Sequence, residues 1–154
     1  MTKEGLKDGG IALLRVGIGA IFVAHGIQKL AVFGISGLSG FMAQLGIPLP
    51  TLSAVAVTAA ELGGGLALVA GLFTRWAALP IAFSMVVAAV TVHLKAGFFL
   101  PNGAEYVLAL FTASVALALT GSGSFSVDRW LEKRAAKEST EASDRVFPQP
   151  VQVR

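Results

Sequence analysis

The stretch "VAHGIQKL" (residues 23–30) sets His25 and Lys29 four residues apart, which puts them on one face of a helix. Glu61 interrupts the apolar run "SAVAVTAAELGGGLALVAG", and Arg15 interrupts "IALLRVGIGAIFVA". His93 and Lys95 close a third apolar run, and Glu105 and Tyr106 open a fourth. In apolar surroundings such residues carry protons, donate hydrogen bonds to carbonyl oxygens, or pair with one another. An unpaired carboxylate at Glu61 is costly, so a partner is expected, and Arg15 is the expected partner in a structural ion pair. A metal site built from His25, Glu61, His93 and Glu105 has no HxxxH or HxxE spacing behind it, so no metal is expected.

The surroundings follow from composition. The chain has 154 residues, 55% of them hydrophobic and 14% charged, with a mean hydropathy of +0.74. Soluble domains carry about 25% charged residues. Four apolar runs, over 10–30, 52–73, 76–94 and 104–120, approach the roughly 20 residues that cross a bilayer as a helix. They lack the alternation of barrel strands. We therefore expect an all-α membrane protein, a four-helix transmembrane bundle with a short interfacial segment between spans one and two, within residues 38–46. Cysteine is absent, which excludes disulfides and thiolate chemistry in this chain. The net charge of +3 sits mostly at the ends. It suits membrane lipid rather than nucleic acid, for no basic face is interleaved with aromatics. "GSGSFS" (residues 121–126) lacks the lysine and the preceding strand of a phosphate loop.

Lysine and arginine counts orient the spans. Lys3, Lys7, Arg75, Arg129, Lys133, Arg134 and Lys137 fall on one side, and Lys29 and Lys95 on the other. Both termini are expected in the cytoplasm, with residues 1–9 as the N-terminus, 10–130 as the four-span membrane domain and 131–154 as an amphipathic, then disordered, tail. Pro80 is expected near the start of span three, where its missing N–H is tolerated. This topology brings His25, Lys29, His93, Lys95, Glu105 and Tyr106 to one outer level, with Glu61 deeper, about 16 Å from the inner end at 1.5 Å per residue. His25, Glu61, His93, Glu105 and Tyr106 form the candidate ligand-binding set, with His25, Glu61 and His93 the candidates for catalysis. Lys29, Arg75 and Lys95 read as interfacial anchors.

"LLRVGIGAIFVAHGIQKL", "ELGGGLALVAGLFTRWAA", "HLKAGFF" with "GAEYVLAL", and "GSGSFSVD" occur in this order. Together, over about residues 11–130, they resemble the DoxX family of small bacterial membrane proteins. The resemblance implies a four-helix bundle in the bacterial inner (plasma) membrane. It also implies association with quinone-linked oxidoreductases of sulfur-compound or thiol and oxidative-stress chemistry. On that reading the chain holds no resident cofactor, binds quinone, and works beside a redox partner protein or as a homo-oligomer. The alternative is a non-enzymatic scaffold, chaperone or small-solute binder.

Overall fold

The structure is a computed structural model that describes residues 2–146, with side chains through residue 140. The described residues are helical, with no strand among them. The α-helices are α1 (Lys3–Gln28), α2 (Gly34–Gln44), α3 (Pro50–Ala70), α4 (Thr74–Ala88), α5 (Glu105–Thr120) and α6 (Val127–Val146). A π-helical turn (Lys29–Phe33) joins α1 to α2, and a second (Ala89–His93) extends α4 into a 3-10 turn (Leu94–Ala96). Helix α1 packs on α3, α3 on α4, α4 on α5, and α5 closes back on α1. Helix α2 occupies the expected position between the first two runs and lies against α3.

The surface is the inverse of a soluble protein's. Leu13, Trp76 and Phe83 are 77%, 74% and 69% exposed, while Thr58, Ser84 and Ser114 are buried. Each of these three hydroxyls donates to a carbonyl of its own helix, Thr58 to Ala54, Ser84 to Ile81 and Ser114 to Leu110. Such self-satisfaction is what a backbone surrounded by hydrocarbon requires. Among the described residues, three helical stretches are long and apolar enough to cross a membrane, namely Lys3–Gln44, Pro50–Ala70 and Thr74–Ala96. Helix α5 is apolar but has 16 residues, about 24 Å at 1.5 Å per residue.

Several boundaries differ from expectation. Helix α1 starts at Lys3, because Thr2 caps it by accepting from the Gly5 N–H and Glu4 suits the first turn. Pro80 lies in the second turn of α4 rather than at its start, so the Trp76 carbonyl loses its helical donor. Helix α6 continues through Val146, past the point at which disorder was expected; residues 147–154 of the tail lie outside the described residues.

Glycine sets the separation of the central helices. A Cβ on Gly65 would lie 2.8 Å from the Val23 nitrogen and 2.9 Å from the Gly19 carbonyl oxygen, and one on Gly26 would lie 2.6 Å from the Leu62 Cβ. Its neighbour Gly64 plays the same part toward α4, where a Cβ would lie 2.9 Å from Ile81. Small residues bring membrane helices into backbone contact in this way. Gly63, beside them, has nothing within 4 Å. Gly65→Val should therefore lower stability by about 1–3 kcal/mol through overpacking, whereas Gly63→Ala should be neutral or raise it by up to about 1 kcal/mol through helix propensity. Thermal unfolding in detergent checks the order, and the reverse order would contradict the packing described.

Candidate functional site

The backbone contacts of Gly26 with Leu62 and of Gly65 with Val23 fix the antiparallel register of α1 on α3. That register brings Lys29 level with Glu61. The Lys29 ammonium donates to Glu61 Oε2 at 2.5 Å. The glutamate side chain is 4% exposed and the lysine side chain 18%. A reachable cation thus stands in front of a carboxylate sealed into the α1–α3 interface. Lys29 opens the π-helical turn that ends α1, and such turns concentrate at functional sites. His25 lies one turn below on the same face of α1, half-buried, with no side-chain hydrogen bond to the described residues.

This corrects two expectations. Glu61 pairs with Lys29 and not with Arg15, and Lys29 is an ion-pair partner rather than a plain interfacial anchor. Arg15 sits too close to the C-terminal end of α3 to reach Glu61. Its Nη1 instead donates to the carbonyls of Leu68 and Val69 at 3.0 and 3.3 Å, and its Nη2 to the Phe125 carbonyl at 2.7 Å. The guanidinium therefore caps the orphaned carbonyls of the last turn of α3 and ties them to the loop between α5 and α6.

The remaining expected site residues form a separate set. His93 Nδ1 lies 2.9 Å from the Asn102 carbonyl oxygen, and Glu105 Oε1 accepts from the Leu100 N–H at 2.7 Å. Both fasten the α4–α5 connection. Tyr106 is 40% exposed, and Lys95 and Arg75 are exposed at opposite ends of α4 and its extension. Among the described residues no hydrogen bond or ion pair joins His93, Glu105 or Tyr106 to His25, Lys29 or Glu61; the contacts present are a pair at α1–α3 and a fastened loop at α4–α5. No group of three or more metal-type side chains converges among the described residues.

Asp128 carries a role the sequence did not disclose. From the first turn of α6 its carboxylate accepts from the Phe73 N–H at 2.9 Å and, more weakly, from the Thr74 N–H at 3.4 Å. It caps α4 from 54 residues away, while its own N–H donates to the Gly71 carbonyl. Asp128 also attracts Arg15 through space. Gly71 has a φ of +72° and packs against Arg15 and Ser126, so a side chain there would collide as well as strain the backbone. The "GSGSFSVD" segment is thus a clasp over the α3–α4 turn.

The fold and the enclosed pair define a small helical membrane protein built around one ionised contact. The family comparison makes the class specific: residues 10–94 match DoxX, and the chain belongs to the DoxX family. It is 38% identical over 124 residues to the Bacillus subtilis protein CatD, named as a candidate oxidoreductase, a match spanning 80% of this chain and 88% of that protein. It is 30% identical to the Escherichia coli inner membrane protein YqjF, over 84% of this chain and 97% of that one. A membrane protein of Mycobacterium tuberculosis without assigned function is 32% identical over 81% of this chain and 83% of its own length. No solved structure matches the chain significantly.

Removing one partner of a buried pair strands the other. Glu61→Leu should lower stability by about 3 kcal/mol or more, and Lys29→Leu combined with Glu61→Leu should recover most of that loss. Equal and additive effects of the two substitutions in thermal unfolding would show that the side chains do not interact.

Proposed function

We propose that the chain is an accessory subunit of a quinone-linked membrane oxidoreductase, with four spans in the bacterial plasma membrane and both termini in the cytoplasm. The observation that carries the reading is the Lys29–Glu61 pair, one member reachable and the other sealed in an apolar bundle. A purely structural contact at that place is matched or surpassed by apolar packing, so ionisable residues there are read first as functional. The name given to CatD supports redox chemistry in the family.

The donor set fits a quinone. When bound, that group accepts electrons and protons to become a quinol. Lys29 Nζ has protons to donate to a carbonyl oxygen, and it orients the ring against the α1 face that also bears His25. Glu61 holds the lysine in place and receives or returns its proton. His25, one turn below on the same face of α1, offers a ring nitrogen for a second hydrogen bond. Electrons come from a partner protein.

A second reading, a non-enzymatic scaffold, is favoured by the fact that Lys29 and Glu61 already satisfy each other. Titration of the purified protein with a ubiquinone or menaquinone analogue separates the two. The redox reading expects saturable binding that Lys29→Met and Glu61→Gln weaken about tenfold or more, together with a fall in quinone-dependent respiration of the cells. No binding at saturating quinone, with respiration unchanged in folded variants, would overturn it in favour of the scaffold.

A further inference from the structure

An open cleft of about 630 Å³ lies at the other end of the bundle, between the α3–α4 turn, the loop after α5 and the start of α6. Its position is set by the helix ends: α3 stops at Ala70, α4 starts at Thr74 and α5 stops at Thr120. In a membrane-embedded bundle this is headgroup depth. Trp76, 74% exposed, and Leu131, 44% exposed, supply apolar walls, and tryptophan is enriched at that level.

The polar lining is arranged for a phosphate ester. Arg75 extends across the loop, its Nε 3.0 Å from where a Cβ of Gly121 would stand. Its guanidinium has no hydrogen bond or ion pair among the described residues, because the neighbouring carboxylates are engaged elsewhere. Asp128 caps α4, Glu132 binds Arg129 at 2.9 Å, and Asp8 accepts from Ser124. Ser126 donates its hydroxyl proton to the Gly123 carbonyl at 2.8 Å, and Ser122 Oγ lies 3.1 Å from the same hydroxyl. Thr74, 1% exposed, sits in the floor with an Oγ1 that has no partner among the described residues.

The charge balance narrows the ligand. Two arginines face three carboxylates, Asp8, Asp128 and Glu132, so a net anion meets repulsion that a phosphate carrying its own ammonium does not. We infer that this cleft binds the headgroup of a zwitterionic phospholipid of the phosphoethanolamine type. The phosphate lies on Arg75, and the ammonium faces Asp8 and Glu132 through the carboxylate oxygens, Oδ1 and Oε1, that Ser124 and Arg129 do not occupy.

Native mass spectrometry of the full chain, released from micelles holding equal amounts of phosphatidylethanolamine and phosphatidylglycerol, tests this without any substitution. Preferential retention of phosphatidylethanolamine is expected. Arg75→Gln should weaken that binding about tenfold, the loss of one charge-assisted contact, with Arg75→Lys intermediate and thermal unfolding unchanged. Equal retention of both lipids, or unchanged binding in Arg75→Gln, would overturn the proposal. Equally strong capture of soluble O-phosphoethanolamine would assign the cleft to a free phosphate ester and overturn the lipid assignment.

Discussion

The Lys29–Glu61 ion pair depends on how closely two backbones approach. A lysine at the end of α1 reaches a carboxylate in the middle of α3 because glycines at 19, 26 and 65 remove the side chains that would hold the helices apart. Close approach also excludes water, which raises the cost of leaving either charge alone and makes the contact obligatory. The order of causes runs from small residues to helix register, and from register to which charge meets Glu61. Nothing in the charge pattern alone would choose Lys29 over Arg15.

The opposite end of the bundle is organised by the two charges left over. Arg15 closes the last turn of α3 through backbone carbonyls, and Asp128 closes the first turn of α4 through backbone N–H groups. Each charge sits where the helix dipole favours it, a cation at a C-terminus and a carboxylate at an N-terminus. Because Arg15 also holds the Phe125 carbonyl, one side chain ties α1 to the last turn of α3 and to the loop before α6. Residues 131–140 of α6 are exposed, and Arg134 stacks over Trp130 at 4.6 Å.

Much of this architecture is written in the sequence at the level of segments. The four apolar runs, the short Thr74–Arg75 connection and the helix before "IPLP" all follow from hydropathy and from proline and glycine punctuation. The pairing does not follow, because measuring depth from residue 10 ignores the helical turns that Thr2 caps, and it shifts α1 against α3. Gly19 and Gly26 stand seven residues apart on one face and meet Gly65 with Val69, and Leu62, of α3, the register that sets residue 29 beside residue 61. His93 and Glu105 were read as site residues because their types and depth suited chemistry. Their contacts are with loop backbone nine and five residues away, a local use that depth cannot distinguish. Asp128 was hidden for a different reason, since a cap supplied from 54 residues away leaves no local pattern.

Membership of the DoxX family fixes the frame, and the paired charges within it concentrate the polar chemistry at one helix interface and leave a second polar cleft at the far end. The account rests on Glu61 being held by Lys29 when the protein is in a bilayer. Solid-state NMR with 15N-lysine and 13C-glutamate labels, assigned by Lys29→Arg and Glu61→Gln, measures that contact directly. The account predicts dipolar coupling between Lys29 Nζ and Glu61 Cδ at a contact distance of about 3–4 Å. Absence of that coupling, or coupling of Glu61 to the Arg15 guanidinium instead, would contradict it.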